Sequence, residues 1–343
     1  VERPIPGPAP VTMATLSLID RSMLVPDLPR NRMPHARRER LCSRPATHAK
    51  EEDDARSRAG SAIVAQVRTV VVGDIEIACS EVAGEGTPLV LVHGMTGHRD
   101  DFAPVLPLLA ARRPGLRVLA PDVRGHGDST HTGDPSTFTF ERLVADLRTF
   151  LDALGIERCH LLGHSLGGMI TVRFALAHPE RLASVVLMST SSCAPGAYTI
   201  ETFEKSGAIA EERGMAFLQH LVERVAKKRR ADAPSDRQIA KWAGAYWPHQ
   251  RHRYRSMDPV CYRALGTAMV RQRPVTDRLG ELAMPTTVVI GLDDESFVDL
   301  ADPLAAGIPH AVRVDLADAG HHPHREDTLG FLDAVCAHLD RAG

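Results

Sequence analysis

His160-Leu161-Leu162-Gly163-His164-Ser165-Leu166-Gly167-Gly168 is the stretch that decides how this chain reads. Three features meet in it: a short apolar run suited to a buried strand, a G-x-S-x-G sequence, and a helical pattern over 166–178. A serine held where a strand turns sharply into a helix brings the backbone on either side close together. Any side chain at position 163 or 167 would then clash. The same turn aims the first N–H groups of the helix, that of Leu166 among them, at the space beside the hydroxyl, where they stabilise developing negative charge.

Working outward, short β-branched runs alternate with helical patterns. Strands are expected at Gln66–Val72, Ile75–Ser80, Pro88–Val92, Leu116–Ala120, His160–Leu162, Ala183–Met188, Thr286–Ile290 and Val312–Leu316. Helices are expected near 101–112, 140–154, 166–178, 298–306 and 326–341. This order is an α/β class: a mostly parallel eight-stranded sheet flanked by helices, with an early antiparallel edge. Residues 1–62 hold eight prolines by position 45, with arginine patches and the acidic run Glu51–Asp54, and read as a disordered or loosely ordered extension. The core is then expected at 63–198 and 277–343, interrupted by a helical segment at 199–276. That segment holds or adjoins every Trp and Tyr of the chain, and Trp242, Tyr246 and Trp247 are the candidate pocket residues. It is either a lid over the substrate or a plain helical subdomain with its own core.

A serine hydroxyl is a poor nucleophile until a base removes its proton. His321 follows Ala319-Gly320 after the last expected strand and is the favoured base, with His322 the alternative. The base in turn requires a carboxylate to fix its tautomer. Asp293, Asp294 and Glu295 cluster after the strand at 286–290, whereas Ser189–Pro195, after the preceding strand, has no acid. A second oxyanion donor is expected from the loop His93-Gly94-Met95-Thr96-Gly97, namely the Met95 N–H, with His93 packing beneath the loop.

From about Val70 onward the chain resembles the α/β-hydrolase superfamily. The resemblance is carried by His93-Gly94, by Pro121-Asp122-Val123-Arg124-Gly125-His126-Gly127-Asp128-Ser129, by the turn at Ser165, by Gly291–Asp294 and by Gly320-His321. It implies Asp294 rather than Asp293 as the acid, His321 as the base, a structural role for Pro121–Ser129, and no metal or cofactor. The implied activity is hydrolysis of a carboxylic ester or lactone through an acyl-enzyme on Ser165, the esterase/lactonase-like branch with a helical lid. Relatives that open epoxides or cleave carbon–halogen bonds use an aspartate where this chain has Ser165. A carbon–carbon bond hydrolase or a cofactor-independent haloperoxidase-like relative would carry the same triad, and a non-catalytic ligand-binding protein on the same fold is the reading from a different class.

Composition narrows the partners. With 41 Lys and Arg against 43 Asp and Glu, the formal net charge of −2 gives no general attraction to nucleic acid or an anionic membrane, so a small-molecule substrate is expected. No apolar run is long enough to span a bilayer, and Met13–Leu18 is too short for a secretion signal. The six cysteines lack C-x-x-C spacing, which suits reduced thiols and a cytoplasmic location. Residues 199–276 carry a net charge of +7, which favours docking on an acidic core or steering of an anionic substrate toward His249, Arg251, His252, Arg253 and Arg255. The sequence leaves the oligomeric state open.

Overall fold

The computed structural model describes residues 64–228, 234–242 and 244–343, together with a two-residue strand, β1 (Arg38–Glu39). The rest of the expected N-terminal extension lies outside the described residues. Eight further strands follow: β2 (Gln66–Val72), β3 (Ile75–Val82), β4 (Leu89–Val92), β5 (Val118–Pro121), β6 (Cys159–His164), β7 (Leu182–Met188), β8 (Thr286–Gly291) and β9 (Val312–Leu316). Their order in the sheet is β1-β9-β8-β7-β6-β4-β5-β3-β2. Pairing is antiparallel between β2, β3 and β5 and parallel elsewhere. The expected eight-stranded core is therefore present, and β1 adds a ninth strand at its edge through the register Arg38 with Arg313.

The strands divide their side chains between two cores with the period of two that a pleated strand imposes. Leu161, Val185 and Leu187 face one layer, built with α2 (Phe140–Ala153), α3 (Leu166–Ala177) and α9 (Val298–Gly307). Leu162, Val186 and Met188 face the other, built with α1 (Leu106–Arg112) and α11 (Thr328–Ala342). The helix α2 shows the amphipathic logic plainly. Leu143, Leu147, Phe150 and Leu151 line its buried face, and the Thr139 hydroxyl caps its start by accepting from the Arg142 N–H at 3.2 Å. The helix expected at 326–341 is present as α11, which starts at Thr328 because the Asp327 carboxylate accepts from the Gly330 N–H at 3.0 Å, and the single turn α10 (Pro323–Glu326) precedes it.

Between β7 and β8 the chain forms α4 (Ile200–Arg213), α5 (Met215–Ala226), α6 (Pro234–Lys241), α7 (Tyr246–Arg255) and α8 (Pro259–Arg271). The helices α4 and α8 approach closely where glycine removes a side chain: Gly266 lies under the Phe203 ring and Gly207 under Arg263. On α5, Glu223 accepts from Gln219, Lys227 and, across to α7, Arg251, which ties the two helices together. Among the described residues no helix is long and apolar enough to cross a membrane.

Candidate active site

Parallel strands end at the same side of a sheet, and the register brings Val92 beside Gly163, Gly163 beside Leu187 and Gly291 beside Leu316. The loops after β4, β6, β8 and β9 thus converge at the carboxyl edge, where β4 has β5 on one side and β6 on the other and the strand order reverses.

Ser165 starts α3 with φ 54° and ψ −119°, a backbone conformation that a non-glycine residue holds only when its surroundings impose it. Here they do. The Ser165 N–H donates to Met188 O at 3.0 Å, and its carbonyl accepts from the Thr190 hydroxyl at 2.6 Å and from the Gly168 N–H at 2.9 Å. The glycines serve this closeness as the sequence implied. A Cβ on Gly167 would strike the carbonyls of Val92 and His93, and one on Gly163 would strike Thr171 and Gly167. A Cβ on Gly94 would lie 2.9 Å from the Ser165 Cβ, which shows how tightly the loop after β4 lies against the serine. Leu166 occupies the first position of α3, where a helix leaves its N–H groups without internal acceptors.

His321 and Asp294 are brought together: Nδ1 of the imidazole and Oδ2 of the carboxylate are 2.9 Å apart. The two loops are joined by backbone bonds, Leu292 N–H to Leu316 O and Asp293 N–H to Ala319 O, both 2.9 Å. A Cβ on Gly291 would strike the carbonyls of Ala319 and Gly320, so Gly291, like Gly163 and Gly167, marks a close approach. Asp293 faces the other way, accepting from Arg237 at 3.0 Å and Gln238 at 2.7 Å on α6. His322 is likewise directed elsewhere, with Nε2 3.2 Å from the Arg253 guanidinium. Among the described residues the ring hydrogen bonds of His321 are confined to Asp294.

Several residues that the sequence did not single out hold this arrangement. The Phe297 ring stacks on His321 at 5.1 Å with 16° between planes, and His164, the residue before the serine, places Nε2 2.6 Å from His321 O. Glu326, whose pKa burial raises, accepts from the N–H groups of Gly320 at 2.8 Å and His322 at 3.1 Å. The His164 contact joins residues 157 positions apart, whereas Glu326 acts within its own loop, four and six residues from its partners.

His93 has the structural role expected of it: Nε2 accepts from the Val123 N–H at 3.0 Å, which leaves Nδ1 as donor to Gly94 O at 2.9 Å. Burial pushes its pKa down to about 4, so it is neutral. The loop Pro121–Ser129 is also structural, with Arg124 fully buried and held by Asp146 at 2.7 and 2.8 Å.

The helical segment reaches the site through an aromatic row. Trp242 is in ring contact with His322 at 5.8 Å, while Tyr246 stands edge-on to Trp242 and Trp247 edge-on to Tyr246, a row leading from the site. The basic residues of α7 are largely engaged. His249 Nε2 is 2.7 Å from Asp101, Arg251 is paired with Glu223 at 2.9 Å, and Arg253 Nε is 3.4 Å from Asp101. His249 and Arg253 thus tie the segment to Asp101 of the core, whereas Arg251 binds within the segment. Burial pushes the Asp101 carboxyl up, but Arg253 and His249 more than offset this and hold it well below the usual carboxylate range. Among the described residues His98, Asp101 and His249 offer ligand atoms within 4.8 Å of one another. Asp101 already carries the Arg253 guanidinium, and His98 Nδ1 accepts from the Asp100 N–H at 3.1 Å, so we assign no cation there.

Residues 87–328 match the model of the alpha/beta hydrolase fold family. A 2-hydroxy-6-oxononadienedioate/2-hydroxy-6-oxononatrienedioate hydrolase of Cupriavidus pinatubonensis is 30% identical over 280 residues, covering 77% of this chain and 91% of that protein. An sn-1-specific diacylglycerol lipase of Danio rerio is 34% identical over 116 residues, and the match spans 34% of this chain and only 35% of the lipase. Among solved structures, the enol-lactonase from Burkholderia xenovorans superposes with a TM-score of 0.67 at 23% identity, over 80% of this chain and all of that one, a likeness of fold. The family match and the long relative together place this chain in the α/β-hydrolase fold family.

Proposed function

We propose that the protein is a serine-dependent hydrolase of small-molecule carboxylic esters or lactones, with Ser165 as nucleophile, His321 as general base and acid, and Asp294 orienting the imidazole. The observation that carries this is the 2.9 Å contact between His321 Nδ1 and Asp294 Oδ2 beside a serine held at φ 54°. In the first step Ser165 Oγ forms a bond to the substrate carbonyl carbon as His321 takes the hydroxyl proton. The tetrahedral oxyanion lies against the Met95 and Leu166 N–H groups. Collapse breaks the bond to the leaving oxygen, which receives the proton from His321. Water then attacks the acyl-enzyme by the same route in reverse, with His321 as base. Loss of one oxyanion donor costs about 3 to 4 kcal/mol in comparable sites. The helices between β7 and β8 act as the lid in this reading. The free state of all five described cysteines supports a cytoplasmic setting.

A second reading is favoured by one comparison: the relative matched over 91% of its length is named as a hydrolase of a dienedioate keto acid. The same triad would then cleave a carbon–carbon bond beside a ketone. Turnover of p-nitrophenyl esters by wild type and Ser165→Ala, with a phosphonate mass label, decides between them. Ester turnover lost in the variant by several orders of magnitude, with labelling at Ser165, upholds the ester reading. Labelling at Ser165 without ester turnover supports the carbon–carbon reading. Absence of both overturns the hydrolase assignment.

A further inference from the structure

We infer that Arg253, carried on α7 of the helical insertion, is a positioning residue for the oxyanion-binding loop, so that the insertion completes the catalytic centre as well as covering it. This rests on the serine-hydrolase reading above. Arg253 is 4% exposed, and its guanidinium reaches two core segments at once, the connection after β4 and the loop after β9. Nη2 donates to Met95 O at 3.1 Å, Nη1 is 3.2 Å from His322 Nε2, and Nε is 3.4 Å from Asp101 Oδ1. The first contact fixes the residue whose N–H is the proposed oxyanion donor, and the second reaches the neighbour of the proposed base.

The loop requires such an anchor. Thr96, directly after Met95, is buried and holds φ 57°, a left-handed conformation that a β-branched residue keeps only when its surroundings over-determine it. Within the loop the Gly97 N–H closes onto Gly94 O at 3.0 Å, and His93 Nδ1 donates to the same carbonyl, which leaves Met95 O to be held from outside. Arg253 supplies that bond. Gly94 meanwhile lies close enough to the Ser165 Cβ that a small shift of the loop changes where the Met95 N–H points. A planar guanidinium with divergent donors suits three partners in different directions, whereas an ammonium on a flexible stem does not.

The test uses two variants of the full chain. Arg253→Lys keeps the charge opposite Asp101 but loses the divergent bonds, and the double variant Asp101→Asn with Arg253→Gln removes both charges together, so no buried charge is stranded. For each, kcat and KM on an ester that wild type hydrolyses are measured with the rate constant for phosphonate labelling of Ser165 and the affinities for a boronic acid and for the carboxylic acid product. The boronate becomes tetrahedral and uses the oxyanion donors, whereas the planar product does not.

The expected result is a kcat and labelling rate lower by about 10- to 100-fold, less than the ~10²- to 10³-fold of deleting a donor outright. Boronate binding should weaken in parallel, with KM and product affinity within about threefold of wild type. Folded variants with unchanged kcat, labelling and boronate affinity would overturn the inference. So would a rise in KM alone, which would make Arg253 a substrate contact or a simple latch. Failure of the wild type itself to turn over or be labelled is a different outcome, and it overturns the hydrolase reading instead.

Discussion

Asp293 and Asp294 are neighbours of the same chemistry, and their backbone exits decide their roles. Asp294 is 2% exposed and bonded to His321, whereas Asp293 is turned to the Arg237 and Gln238 side chains of α6. Asp294→Asn should therefore lower kcat by about 10³- to 10⁴-fold, because an amide cannot hold the imidazole in the tautomer that accepts the serine proton. Asp293→Asn should cost less than about tenfold, since it leaves that contact untouched. Steady-state kinetics on the two variants checks the assignment, and equal losses would contradict it. The sequence narrowed the acid to a cluster of three, and the family resemblance pointed to Asp294. The geometry supplies a physical reason, since only that side chain lies opposite His321.

Among elements, the strand-turn-helix at β6 and α3 was legible because its chemistry is local. Apolar run, glycine, serine, glycine and helix follow one another within a single stretch, and each glycine proves to lie where a Cβ would meet backbone. The helical insertion was legible only as helical. Its net positive charge left docking and steering both open, and charges on separate helices find partners that a linear reading does not pair, as Arg251 finds Glu223. Its own packing depends on close approach of α4 and α8. Gly266→Val would press a branched side chain into Phe203 and should destabilise the fold by about 1 to 3 kcal/mol, even though valine is a better helix former than glycine. Thermal melting checks this, and an unchanged or raised Tm would show that the Phe203 ring moves aside.

At the scale of the whole molecule, the number of buried histidines sets an acid limit. Burial lowers the pKa of His93 to about 4 and those of His98, His126, His324 and His338 to about 3. Each is neutral in the fold but protonates near pH 6.5 once unfolded. The unfolded state thus binds more protons below pH 6.5, and stability, complete above that value, falls as pH drops toward 4 by up to about 1.4 kcal/mol per pH unit for each histidine. Asp122, pushed up to about 6 by burial, works in the opposite direction over part of the same window and offsets about one histidine's share. Denaturant midpoints should decline steeply between pH 6.5 and 4, and a flat profile there would contradict neutral burial.

The sequence by itself determined the sheet, its order of strands and helices, the strained turn at Ser165 and the loops that carry Asp294 and His321. These follow from periodicity and from glycines whose need is local. Only the tertiary structure decided which of two adjacent acids and two adjacent histidines face each other, and that Arg253 of the insertion reaches Met95, Asp101 and His322. Such contacts join residues from 27 to 158 positions apart. They depend on where folded elements come to rest, and no spacing along the chain encodes that directly.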